Sequence, residues 1–113
     1  MRVLIAPDAF AGTLTAVQAA AAIADGWRRR APGDVLDLVP MADGGPGLVD
    51  VLHATLGGEL LGVTVRGPYG GSVPGSVLLS GATAYVESAQ ACGLHLTEPA
   101  RRRPELAGSH GVG

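Results

Sequence analysis

The first half of the chain alternates short apolar runs with segments of helical periodicity. Residues 3–5 are continuously apolar and stop before Pro7, which is typical of a strand buried on both faces of a parallel sheet. Thr15 is a candidate helix N-cap, and Gln18 stands where a capping box needs it. Apolar side chains then recur at helical spacing. They predict one buried helix face, made of Val17, Ala20, Ala21, Ala24 and Trp27.

A second strand and a second helix follow in the same order. Residues 35–39 read as a strand, and the glycine-rich loop 42–47 leads into a helix whose first position suits Pro46. The apolar stripe of that helix is Leu48, Val49, Leu52 and Leu56. Strand, helix, strand and helix over about residues 1–58 predict an α/β fold with a parallel sheet.

The second half, about residues 59–113, is richer in strands. We expect strands over 59–66, 72–80 and 82–86, with the second near a sheet edge because Pro74 has no N–H for a ladder. A short helical segment over 87–92 is closed by glycine. The final Gly/Ser-rich residues are typical of a loop that introduces a helix, so we expect the chain to be cut short there.

Composition and charge narrow the function classes. The chain has 113 residues, a length that suits one modest domain or part of a larger one, and its 47% hydrophobic content excludes a disordered tail. A net charge of −2 leaves no basic excess to release counterions, which argues against nucleic acid as a partner. No apolar run approaches a membrane span, and the N-terminus lacks a signal peptide, so a cytoplasmic protein without a membrane partner is expected. The single Cys92 excludes an internal disulfide.

Three carboxyl groups follow three predicted strands. They belong to Asp8, Asp43 and Glu87. In open α/β sheets a ligand binds beyond the carboxyl ends of the strands, so parallel strands would place all three acids in one crevice. Such acids hold Mg²⁺ together with substrate phosphates, or accept the proton of a hydroxyl that attacks a phosphoryl group.

Glycines beside these acids suggest places for a phosphate. Gly44, Gly45 and Gly47 allow close backbone approach, and the helix that follows them offers N–H groups to an anion. Ser109, followed by residues 110–113, could begin a second loop of this kind. However, Asp-Gly-Gly is also a common turn, and neither loop matches a Walker A or G-x-G-x-x-G motif. A structural role and phosphate binding therefore both remain open.

Four segments resemble, in order and spacing, the signature motifs of the bacterial glycerate kinases of the first type. They are residues 5–16, 40–47, 86–94 and 109–113. The resemblance implies a kinase that transfers the γ-phosphoryl group of ATP to a hydroxyl of D-glycerate with Mg²⁺. It also implies a two-domain fold with a Rossmann-like α/β domain, of which this chain is roughly the first third. Residues 1–58 would form a βαβα unit, and 59–113 would lead towards the second domain, with the remainder of the family fold absent.

The resemblance also assigns roles to residues. Asp8 and Asp43 are the expected catalytic residues, and Asp43 is also the expected metal ligand. The expected substrate- and phosphate-binding residues are Gly44, Gly45, Gly47, Glu87 and Ser109. Family members usually carry a loop lysine where this chain has Ala9 or Ala11.

That departure keeps two alternatives open beside the kinase. One is a non-catalytic anion- or nucleotide-binding domain, and the other is an inactive remnant.

D-glycerate is the expected small-molecule partner, and a homo-oligomer is left open.

Overall fold

A parallel strand pair and one helix form the first unit of the protein. The computed structural model describes residues 1–113. Strand β1 (Arg2–Ile5) pairs in parallel with β2 (Val35–Leu38), and helix α1 (Ala16–Arg30) connects them. The capping box that begins α1 is confirmed. The Gln18 N–H donates to Thr15 Oγ1 at 3.1 Å, and the Thr15 N–H donates to Gln18 Oε1 at 3.0 Å.

Alanines, rather than the larger apolar residues, bury the inner face of α1. Ala20 and Ala24 form a small core with Ile5, against which Val3 and Leu36 pack. The predicted face is wrong in part, because Val17, Ala21 and Trp27 are exposed. The buried set is Ala16, Ala19, Ala20 and Ala24. Because these alanines face the strand pair, the larger apolar residues Val17, Ile23 and Trp27 lie on other faces of α1.

The strand pair is covered on one face only. Side chains of a strand alternate between its two faces, so Leu4 points away from the face that holds Val3 and Ile5. Leu4 is 66% exposed and Val35 is 60% exposed. Within residues 1–113, α1 is the only helix that packs on the β1–β2 pair, and it covers one face. The expectation that β1 is buried on both faces is therefore wrong.

Helix α2 (Leu48–Leu56) begins later than the sequence predicts. Gly47 is its N-cap and has φ +99°, a left-handed conformation that favours glycine. Pro46 therefore precedes the cap and is not the first helical residue. The buried residues of α2 are Val49 and Val51, whereas Leu56 is 47% exposed.

An antiparallel sheet makes up the second half. Strands β3 (Glu59–Arg66) and β4 (Ser72–Ser80) have the predicted bounds, and β5 (Thr83–Val86) is one residue shorter than expected. The sheet order is β3-β4-β5. Tight glycine-containing turns join these strands, and such short connections impose antiparallel pairing. The idea that β5 shares a parallel sheet with β1 and β2 is therefore wrong.

Pro74 lies in the central strand β4 rather than in an edge strand. However, β5 pairs only with residues 77–80 of β4, so the Pro74 end of β4 is open on that side. The Ser76 N–H bonds to the Gln90 side chain instead of to β3. N–H groups two residues apart point to the same side of a strand, so the Pro74 nitrogen also faces the open side and interrupts no ladder bond.

Short helical segments complete the fold. Helix α3 (Ala89–Cys92) is closed by Gly93, and three 3₁₀ turns follow. Both α2 and α3 pack against β4, so α2 connects the βαβα part to the antiparallel sheet. The assignment of residues 1–58 and 59–113 to parts of a two-domain protein stays a prediction. None of the helices combines the length and apolarity that crossing a bilayer would take.

Asp34 ties the N-terminus to the end of α1. Its carboxylate accepts hydrogen bonds from the Met1 ammonium at 2.8 Å and from the Trp27 indole N–H at 2.9 Å. The Asp34 side chain is only 16% exposed. The bond from the Met1 ammonium, and next the bond from Trp27, hold the pKa of Asp34 below its usual value.

We expect Asp34→Asn to lower the melting temperature at neutral pH and to have little effect in acid. A carboxyl whose pKa is lowered by folding stabilises the fold above its unfolded-state pKa, here 3.8, and loses that contribution as the pH falls through the folded value. Thermal unfolding at several pH values should show the two proteins converging below pH 3.8. Asp25→Asn is the control, because Asp25 is 65% exposed in a surface ion pair. A difference between wild type and Asp34→Asn that persists unchanged in acid would contradict this role.

Candidate functional site

The segments that follow β1 and β2 leave the parallel pair together. The Val39 N–H donates to the Ile5 carbonyl at 2.8 Å, and the Met41 N–H donates to the Pro7 carbonyl at 2.9 Å. The parallel pairing therefore continues past the strand ends. It delivers Asp8 and Asp43 to the same edge, as the sequence predicts for these two acids.

A cavity of about 520 Å³ lies at this edge. Its volume is within the range of small-molecule sites. Asp8 and Asp43 both line it, together with the loop after β1 and the start of α2. The other lining residues are 9–18, Met41, Ala42, Pro46, Gly47, Asp50 and Val51.

The cavity is acidic. Asp8, Asp43 and Asp50 contribute three carboxyl groups, and no arginine or histidine lines it. Ala9 and Ala11, where the resemblance leads us to expect a lysine, are both in its wall. An anionic ligand in this cavity would therefore need a cation that these lining residues do not supply.

A tight turn forms part of the cavity wall. The Phe10 carbonyl accepts hydrogen bonds from the N–H groups of Thr13 and Leu14, and the Phe10 N–H donates to the Leu14 carbonyl at 2.9 Å. Gly12 has φ +76° at the tip of this turn. Phe10 is 56% exposed, so the turn presents an apolar surface beside the acids.

Each predicted catalytic acid is held through one oxygen. Asp43 Oδ1 accepts from the Gly45 N–H at 2.8 Å, and Asp8 Oδ1 accepts from the Ala9 N–H at 2.6 Å. The second oxygen of each carboxylate forms no hydrogen bond within the protein, so it can meet a ligand. No group of three or more potential ligand side chains is clustered for a metal ion. A Mg²⁺ ion usually takes only one or two carboxylates besides water and phosphate, and the assignment of Asp43 to a metal ion stays a prediction.

Glu87 lies outside the cavity wall. It is 5% exposed, and its carboxylate accepts hydrogen bonds from the Gly47 N–H at 3.2 Å and from the Val49 N–H at 3.1 Å. These amides belong to the N-terminus of α2. Glu87 thus reaches the glycine loop from the antiparallel sheet, and it contacts the backbone of the loop rather than the cavity.

The predicted phosphate-binding residues are dispersed. Gly47 lines the cavity, whereas Gly44 and Gly45 do not. Ser109 is exposed and also lies outside the cavity wall. Its neighbour Gly108 donates its N–H to the Pro68 carbonyl at 2.8 Å, which holds this end of the chain against the turn between β3 and β4. The assignment of these residues to phosphate stays a prediction.

Asp50 is a site residue that the sequence reasoning missed. It lies in the first turn of α2, three residues after Gly47, and both residues line the cavity. Residues three apart share a helix face. The position of Asp50, three residues after Gly47, was the sequence feature that could have predicted its place in the cavity wall.

Comparison with known proteins identifies relatives along the whole chain. Residues 3–113 match the sequence profile of the Glycerate kinase family. An uncharacterized protein of Mycobacterium bovis is 48% identical over 122 residues, covering 100% of this chain and 30% of its own length. A glycerate kinase of Halalkalibacterium halodurans is 44% identical, covering 98% of this chain and 30% of its own.

A solved structure agrees with this similarity. The crystal structure of a protein assigned as glycerate kinase 2 from Salmonella typhimurium LT2 superposes with a TM-score of 0.75 at 37% identity. The match covers 98% of this chain and 30% of that one. This chain therefore spans about 30% of the length of the relatives it matches. A profile match over residues 3–113 shows that the chain belongs to the glycerate kinase family.

Proposed function

We propose that this chain carries the Asp8 and Asp43 part of a glycerate kinase active site. In a protein of the relatives' length, the reaction is transfer of the γ-phosphoryl group of ATP to a hydroxyl of D-glycerate, with Mg²⁺. The observation that carries the proposal is the meeting of these two acids, from the ends of two parallel strands, in one cavity.

Asp43 is the stronger candidate for contact with the metal and the reacting groups. Its Oδ1 is engaged by the Gly45 N–H, which fixes the carboxylate, while Oδ2 is open. Mg²⁺, when bound, neutralises charge on the transferring phosphoryl group. Asp8 is held in the same way by its neighbour's N–H, and we propose that it accepts the proton of the glycerate hydroxyl.

The negative charge of the cavity indicates that binding of the anionic substrates needs residues from the rest of the family fold. Both substrates are anions, and this wall brings three carboxyl groups without a cation. Carboxylates repel anions unless a metal ion or a basic side chain balances them. We therefore expect residues 1–113 alone to have no kinase activity, and we expect the remaining length to contribute cations.

A chimera tests the proposal directly. Residues 1–113 replace the matching segment of the Halalkalibacterium halodurans glycerate kinase, and ADP formation is measured with ATP, Mg²⁺ and D-glycerate. We expect turnover that requires D-glycerate, with a phosphoglycerate product visible by ³¹P NMR. The unmodified kinase is the positive control, and residues 1–113 alone are the negative control.

The outcomes separate the alternatives. A folded chimera that lacks turnover would be remade as Ala9→Lys and as Ala11→Lys. Recovery of activity would identify the absent cation as the cause of the loss. A chimera that binds ATP and stays inactive in all three forms would favour the non-catalytic binding domain and would contradict the kinase proposal.

A further inference from the structure

Glu87 is the one charged residue in the buried set, and no basic side chain pairs with it. Burying a carboxylate is costly unless strong donors meet it. The donors here are the Gly47 and Val49 N–H groups, one for each carboxylate oxygen. Both belong to residues about 40 positions earlier in the chain, so the contact joins the two halves of the protein.

The N-terminus of α2 needs an external acceptor. The first N–H groups of a helix have no partner within it and carry the positive end of the helix dipole. The N-cap is Gly47, which has no side chain to accept them. Glu87 supplies a carboxylate at the N-terminus of α2, a position that favours anions.

The glycine loop is also closed internally. The Leu48 N–H donates to the Gly45 carbonyl at 3.3 Å, and the Gly45 N–H donates to Asp43 Oδ1 at 2.8 Å. A continuous set of hydrogen bonds therefore runs from Glu87 through the start of α2 to Asp43. The amides of Gly45, Gly47, Leu48 and Val49 all have partners within the protein.

We propose that Glu87 is a positioning residue, whose carboxylate occupies the anion position at the N-terminus of α2 and thereby holds the loop that carries Asp43. Substrate phosphate and carboxylate groups are then bound elsewhere in the cavity and not by the Gly47 and Val49 amides. The effect of Glu87 on catalysis rests on the proposed kinase function. The claim that Glu87 occupies the Gly47 and Val49 N–H groups does not rest on it, so an experiment can contradict either claim without the other.

The first test measures amide hydrogen exchange in ¹⁵N-labelled residues 1–113. Glu87→Gln keeps the shape of the side chain but sets an NH₂ group against one of the two N–H donors. We expect exchange at Gly47 or Val49, or at both, to accelerate roughly tenfold or more. The amides of Ala20 and Ala24 in α1 should not change. Glu98→Gln is the matched control, because Glu98 is 80% exposed.

The second test titrates inorganic phosphate into the same labelled proteins. In wild type we expect no phosphate-dependent shift of the Gly47 and Val49 amide resonances, because Glu87 holds them. In Glu87→Gln we expect such shifts to appear. Restoring the carboxylate on a shorter stem, Glu87→Asp, should suppress the phosphate response in part, which a merely space-filling role would not produce.

Two results would overturn the proposal. One is a phosphate-dependent shift of the Gly47 and Val49 amides in wild type, which would make the loop an anion site. The other is unchanged exchange at both amides in a folded Glu87→Gln protein. If Glu87→Gln does not fold, the wild-type titration still decides the question. Neither measurement depends on turnover, so an inactive chimera would leave this result standing.

Discussion

Asp43→Asn should lower the kcat of the chimera by roughly 10²- to 10⁴-fold, the range associated with a positioned catalytic acid or base. Asparagine keeps an oxygen that can accept the Gly45 N–H, so the loop should retain its shape. It removes the negative charge that would bind Mg²⁺ and orient the reacting groups. The loss should therefore appear in turnover, measured as glycerate-dependent ADP formation, rather than in thermal stability.

The control for this experiment is Asp37→Asn. Asp37 lies in β2, the same strand that leads to Asp43, but it pairs with Arg2 at 2.7 Å and lies outside the cavity wall. Surface ion pairs contribute little to stability, so this variant should keep near-normal turnover. If the Asp43→Asn chimera phosphorylated D-glycerate at the rate of the parent chimera, the role of Asp43 in the proposed site would be lost.

Gly58→Ala should strongly destabilise the protein. Gly58 has φ +101°, and a Cβ at this position would collide with the Leu79 carbonyl across the start of the β3–β4 pairing. The left-handed conformation costs an alanine about 1–2 kcal/mol, and overpacking adds about 1–3 kcal/mol. We expect the free energy of unfolding, from urea titration followed by circular dichroism, to fall by about 2–5 kcal/mol.

The neighbouring Gly57 separates the two causes. It has φ +67°, but a Cβ there would meet no atom within 4 Å. Gly57→Ala should therefore show the conformational cost alone, about 1–3 kcal/mol, because ψ −150° places Gly57 in a backbone region that is essentially restricted to glycine. Gly33→Ala, with neither a positive φ nor a close neighbour, should change stability by less than about 0.5 kcal/mol. Equal losses at Gly57 and Gly58 would show that the contact with Leu79 has no energetic effect.

Much of the secondary structure could be predicted from short-range signals. The bounds of β3 and β4 follow from glycine turns on either side of alternating strands, and the capping box of α1 lies within four residues. Asp8 and Asp43 were placed together from the parallel order of β1 and β2, which the structure confirms. The family match along residues 3–113 likewise agrees with the motifs that the sequence displays.

The errors share a different origin. The burial of Ala19 rather than Val17 depends on how α1 is rotated against the strand pair, and helical periodicity alone does not give that rotation. Asp50 was missed because its approach to the cavity depends on where α2 begins. The start of α2 depends in turn on the positive φ of one residue, its N-cap Gly47.

By itself, the sequence determined the order of the elements, the capping box of α1, the turns of the antiparallel sheet, and the two acids at the ends of the parallel strands. These features depend on interactions within a few residues or on the polarity of one strand pair. Only the tertiary structure decided what Glu87 does. Its partners lie about 40 residues away, and packing of α2 against the antiparallel sheet brings their N–H groups to its carboxylate. A buried charge must find donors, and only the folded chain decides which donors are near enough.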